Sequence, residues 1–147
     1  LPAGWIVKAV RVNGDDVTDT GVEFKSGQEV TGVEIVATNE STEVAGTVSG
    51  SNGAAVKEYT VVVFSEDAQQ WSLPMTRWVT GSRPDQEGRF RVRNLPPGGY
   101  YAVALDYVEQ GSWGDPELLE RLKAHAKRFT LREGGTETLD LKLVDQF

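Results

Sequence analysis

The stretch that decides the fold is Asp85-Gln86-Glu87-Gly88-Arg89-Phe90-Arg91-Val92-Arg93-Asn94-Leu95-Pro96-Pro97-Gly98-Gly99-Tyr100-Tyr101-Ala102-Val103-Ala104. Asp85 and Gly88 suit the two ends of a β-turn, where a short acceptor opens the turn and glycine closes it. Phe90 and Val92 then alternate with Arg89, Arg91 and Arg93, the period of a strand with one buried and one wet face. Pro96 and Pro97 lack backbone donors and cannot continue a ladder, so the chain must leave the sheet there. On the returning strand Tyr100, Ala102 and Ala104 share one face, and Tyr101, Val103 and Leu105 share the other.

The pattern Asp-x-x-Gly-x-Phe-x-Val-x-x-Leu-Pro-Pro-Gly-x-Tyr resembles that of the carboxypeptidase regulatory-like domain. The resemblance runs from about Val44 to Val144 and opens with Val44-Ala45-Gly46-Thr47-Val48-Ser49-Gly50, similar to the family's first strand. It implies an all-β, antiparallel β-sandwich of transthyretin-like or Ig-like type, and a non-catalytic module attached to a larger protein. Some related Cna B-type modules form a Lys–Asn isopeptide beside a glutamate. Here Val44 to Val48 has no lysine and Tyr101 to Ala104 has no acid, so no such bond is expected.

Working outward, a second, partial copy of the pattern precedes the first. Leu1-Pro2-Ala3-Gly4-Trp5-Ile6-Val7 parallels Leu95-Pro96-Pro97-Gly98-Gly99-Tyr100-Tyr101. Likewise Val22-Glu23-Phe24-Lys25-Ser26-Gly27 followed by Val33-Glu34-Ile35-Val36 parallels Phe129 to Gly134 followed by Leu139 to Leu143. Residues 1–38 are therefore expected to be the C-terminal half of a preceding repeat, docked on the main domain or on a neighbour because half a sandwich cannot bury its inner face, the alternative being a chance similarity of β-hairpins. Residues 39–43 read as a short polar linker and residues 44–147 as the complete domain. One short helix, near residues 115–127, is inserted. Asp115 is its N-cap, Pro116 its first residue, and Leu118, Leu119, Leu122 and Ala126 line one face. It is expected to cover one end or edge of the sandwich. The expected core is Val10, Phe24, Val33, Ile35, Val48, Val61, Val63, Phe90, Val92, Leu95, Tyr100, Ala102, Leu131, Leu139 and Leu141.

The net charge of −7 argues against nucleic acid as a partner, since such binding needs a basic footprint. No apolar run approaches the roughly 20 residues that cross a bilayer, so no membrane insertion is expected. With no cysteine there is no disulfide, thiolate metal site or cysteine nucleophile. The chain opens at Leu1 rather than methionine, and the expectation is a processed start within a longer parent. A lone histidine, His125, at a helix end and without a Gly-x-Ser-x-Gly elbow, reads as a solvent-facing side chain. No catalytic residue, cofactor or metal site is assigned. Asp15, Asp16, Asp19, Glu66, Asp67, Asp85 and Glu87 read as turn formers, with a calcium-binding acidic turn left open as the alternative.

The candidate contacts to a protein partner or glycan are Trp71, Arg77, Trp78, Tyr107 and Trp113. They are presented by a long Glu66–Arg83 loop and by the loop at Gly111–Trp113. The alternative is that two of the tryptophans cap the core. The expected function is a non-catalytic structural or binding module of a bacterial secreted, periplasmic or cell-surface protein, with protein partners or neighbouring domains. Two other readings are a homo-oligomer or fibre built by strand addition through residues 1–38, and a carbohydrate-binding module using exposed tryptophans.

Overall fold

The computed structural model describes residues 2–21, 23, 26–27, 29, 31–72, 76–106, 108 and 112–144. The strands of the sandwich are β4 (Glu43–Ser49), β5 (Ala55–Val56), β6 (Thr60–Ser65), β7 (Val79–Ser82), β8 (Arg89–Arg93), β9 (Gly98–Leu105), β10 (Lys127–Leu131) and β11 (Thr136–Val144). One layer pairs β5, β8 and β11 with β4. The other pairs β10 and β6 with β9, and β7 with β6. The pairings are antiparallel except along β11, which runs parallel to β4 from Thr136 to Lys142 and meets β9 in parallel at Leu143 and Val144, joining the two layers. An all-β sandwich with one short helix agrees with what the family resemblance and the helix signals implied, with β11 departing from the expected antiparallel pairing.

The tight turn is built as its residues suggest. The Gly88 amide donates to the Asp85 carbonyl at 3.1 Å, and Gly88 sits at φ +81°, where glycine carries no steric penalty. Gly46 is required for a different reason. A Cβ there would overlap the Leu139 carbonyl oxygen, so only glycine lets β4 lie this close to β11.

The inner core lies between the layers and holds Val44, Val48, Tyr59, Val61, Val63, Phe90, Val92, Leu95, Tyr100, Ala102, Ala104, Phe129, Leu131, Leu139 and Leu141. A second core lies on the outer face of β6 and β9, made by Val62, Phe64, Trp71, Val103, Leu105, Val108, Leu118, Leu119 and Leu122. The helix α1 (Pro116–Leu122) covers that face, not an end or edge of the sandwich. It ends in a 3-10 turn, Lys123–His125, and β10 begins at Lys127, so Lys127 and Arg128 belong to a strand. The signal for the second core was in β6 itself. Val61-Val62-Val63-Phe64 is a continuous apolar run, the mark of a strand buried on both faces.

Residues 6–38 form a separate three-stranded sheet of β1 (Ile6–Val12), β2 (Asp15–Asp16) and β3 (Val33–Thr38), in the order β2-β1-β3. Here three core expectations fail. Val10 is only half-buried, and Val33 and Ile35 are 54% and 61% exposed, because no layer covers that face of β1 and β3 among the described residues. Phe24 lies outside the described residues. β1 and β3 pair antiparallel, whereas the corresponding β9 and β11 meet in parallel.

If α1 closes a true core, truncating its most enclosed residue must behave as an interior deletion. Leu119→Ala should destabilise the fold by about 2 to 5 kcal/mol in urea unfolding, the range expected for a deletion in the inner core. A cost below 1 kcal/mol would mean that α1 is an appendage.

Candidate functional site

The predicted contact residues divide between two places. Trp71 lies in the second core, 3% exposed. Its Nε1 donates to the Ser65 carbonyl at 2.7 Å and its ring meets Phe64 edge-on at 5.5 Å. The expectation of an exposed Trp71 is therefore wrong. A tryptophan that follows a strand with two apolar faces finds an apolar shelf beside it, and burial of so large a ring outweighs exposure. Trp113, in a 3-10 turn at Ser112–Gly114, is half-buried against the same core and lies flat on Gly81, where a Cβ would come within 2.9 Å of its Cζ2. Tyr107 lies outside the described residues.

Arg77 and Trp78 sit together at the other place, a cleft of about 200 Å³ between the small sheet and the Leu95–Pro97 corner. The cleft is also lined by Ile6, Lys8, Glu40 and Glu133. The Arg77 guanidinium makes a two-pronged contact with the Asp19 carboxylate, Nε to Oδ1 at 2.7 Å and Nη2 to Oδ2 at 3.3 Å, and lies 5.5 Å over the Trp78 ring. Trp78 in turn stacks on Tyr100 at 6.1 Å, and Tyr100 on Phe129 at 5.8 Å. Its Nε1 is buried with no hydrogen-bond partner among the described residues. Across the cleft, Lys8 Nζ meets Glu133 Oε1 at 2.7 Å. Asp19 and Glu133 were not predicted as partners of these bases, because they are 58 and 125 residues away in sequence. Only the fold brings them together.

The expected Glu66–Arg83 loop is partly ordered secondary structure. Asp67 caps a 3-10 turn at Ala68–Gln70 by accepting from the Gln69 amide, and Val79–Ser82 is strand β7, paired with β6. Glu66 is pinned by Arg128 at 2.7 Å over Gly99, where any Cβ would overlap its carboxylate.

The acidic turns have local partners. Asp16 accepts from the amide and hydroxyl of Thr18. Asp85 accepts from the Arg89 and Glu87 amides at 3.0 and 2.9 Å. The Arg89 amide bond, with that of Glu87, holds the Asp85 carboxyl below its ordinary 3.8. Among the described residues no group of three or more His, Asp or Glu is placed to hold a metal. Two phenols are raised by burial, Tyr59 to about 12 and Tyr100 further. Each donates to a carbonyl, Tyr59 to Gly88 at 2.6 Å and Tyr100 to Pro96 at 2.5 Å.

Two consequences are measurable. Gly81→Ala should displace the Trp113 ring, cost about 1 to 3 kcal/mol and shift tryptophan emission to the red. An unshifted spectrum would mean that the ring does not rest on Gly81. The depressed Asp85 pKa adds stability that is complete above pH 3.8 and is lost as pH falls through the lower folded value. Wild type should therefore exceed Asp85→Asn in stability at pH 7, with the gap closing as pH falls below 3.8. A pH-independent gap would show that ionisation is not what the turn uses.

Similar solved structures include the Bacillus anthracis TIE protein, at 14% identity over 78% of this chain and 18% of that one, with a TM-score of 0.45. BcpA, the major pilin subunit of Bacillus cereus, is 18% identical over 69% of this chain and 28% of that one, with a TM-score of 0.40. PA1324 of Pseudomonas aeruginosa is 15% identical over 68% of this chain and 86% of that one, with a TM-score of 0.44. The chain thus spans less than a third of the first two. No curated protein matches it. The carboxypeptidase regulatory-like domain model matches residues 43–144, the span that carries the Asp85–Gly88 turn, the Leu95–Gly98 corner and both layers of the sandwich, and the chain belongs to that family.

Proposed function

We propose that the chain is a non-catalytic structural module of a bacterial secreted, periplasmic or cell-surface protein, in which the sandwich holds residues 1–38 on a fixed mount as the C-terminal half of a preceding repeat. The observation that carries this reading is the double clamp across the cleft, Arg77 to Asp19 and Lys8 to Glu133. The connector supports it. Thr42 is buried, and its hydroxyl donates to the Leu95 carbonyl at 2.7 Å, so the polar segment expected as a linker is anchored just before β4 begins at Glu43. Membership of the carboxypeptidase regulatory-like domain family supports a module attached to a larger protein. The different pairing of β3 fits the same reading. β11 lies mostly along β4, and with no such neighbour beside it among the described residues, β3 lies along β1 instead. The geometry gives less support to glycan binding through the predicted tryptophans. Trp71 is enclosed, and the Trp78 ring is engaged by both Tyr100 and the Arg77 guanidinium.

A mount is tested by loosening it. Both partners of the Arg77–Asp19 pair are partly exposed, so Arg77→Ala should lower global stability by no more than about 1 kcal/mol. It should nonetheless speed amide exchange across residues 15–20, read by mass spectrometry. Unchanged exchange there would remove the clamp from the argument. A saturable change in tryptophan emission on adding cellohexaose or chitohexaose would favour the glycan reading instead.

A further inference from the structure

Among the described residues β3 is an edge strand, paired only with β1. Its backbone orientation follows from its neighbour. The Val10 amide bonds to the Thr18 hydroxyl, and the Val10 carbonyl accepts from the Val17 amide, both on the β2 side of β1. Val10 faces Ile35, and in an antiparallel pair the two facing residues either exchange both hydrogen bonds or neither. The Ile35 N–H and C=O therefore point away from β1, to the open edge, and so do those of Val33 two residues earlier. These two residues also carry the bare side chains, 61% and 54% exposed.

Natural edge strands are guarded by proline, bulges or charge. β8 carries Arg89, Arg91 and Arg93, and β10 carries Lys127 and Arg128. The six residues of β3, Val-Glu-Ile-Val-Ala-Thr, hold one charge. That charge, Glu34, points to the opposite face and is held by Arg11 at 2.6 Å.

We propose that β3 pairs antiparallel with β3 of a second copy of this chain about a two-fold axis at Ile35. In that register Ile35 faces the partner's Ile35, Val33 faces the partner's Ala37, and Glu34 faces the partner's Val36. A slip by one residue would set the apolar face of one copy beside the opposite face of the other. A slip by two in one direction would oppose the two Glu34 side chains, and in the other it would leave Val33 unpaired. Pairing with β8 or β10 would bring arginine or lysine beside Ile35. Uncharged β7 is four residues long with Trp113 lying on its Gly81, so β3 of a second copy is the longer edge without basic residues. The product is closed, a sheet in the order β2-β1-β3-β3-β1-β2, as a two-fold contact requires. This pairing uses the edge that a β4-like strand of a preceding half-repeat would take, so the two are alternative occupants of β3.

The chain has no cysteine, so Ile35→Cys adds a lone thiol. Hydrogen-bonded residues facing each other in an antiparallel pair lie about 5.5 Å apart at Cα, within disulfide reach. Expected results are a dimer of the unaltered chain by light scattering, faster covalent dimerisation of Ile35→Cys under diamide than of the exposed control Ser51→Cys, and loss of the dimer in Ile35→Lys with an unchanged melting temperature. A monomer at every concentration with equal cross-linking of the two cysteine variants would overturn the proposal. So would a dimer that survives Ile35→Lys, or a series of growing masses, which would mean head-to-tail addition.

Discussion

The sandwich depends on the corner at Leu95–Gly98. β8 belongs to one layer and β9 to the other, so the four residues 94–97 must carry the chain across the core and turn it round. Two prolines bar the strand from continuing, and their geometry leaves carbonyls that must be satisfied. The Thr42 hydroxyl takes the Leu95 carbonyl and the Tyr100 hydroxyl takes that of Pro96. Asn94, at φ +64°, donates its amide to the Thr42 carbonyl, so the segment before β4 and the corner hold each other. Tyr100 then presents its ring to Trp78 and Phe129, and the stack ties β9 to β10 and to the approach to β7.

From this corner follows the division of the aromatic residues. β9 enters the second layer with apolar side chains on both faces, and β6 beside it is buried throughout. One face meets the other layer. The other needs its own cover, supplied by α1, Trp71 and the flank of Trp113. The side chains that looked available for a ligand are thereby drawn into structure. Among the described residues, Arg77 and Trp78 line an open cleft and Val33 and Ile35 of the small sheet remain exposed.

That small sheet is held by charge rather than by a shared core. Lys8, Asp19 and the anchored Thr42 connect it to the sandwich, while its apolar residues Val33 and Ile35 face solvent. Ion pairs of this exposure contribute little to stability but fix orientation, which suits a mount.

Much of the local chemistry was legible in the sequence. The Asp85–Gly88 turn, the alternation of β8, the proline corner and the Asp115 cap of α1 each depend on residues within a few positions, where backbone sterics and short hydrogen bonds decide. The family pattern rests on the same residues, so the sandwich could be read from them. Which face α1 would cover, that Trp71 would be enclosed, that Arg77 would meet Asp19, and that Val33 and Ile35 would lack a covering layer were decided only by the tertiary structure. Each depends on partners tens of residues away, and an apolar period tells that a side chain seeks cover without telling whether any layer is there to provide it.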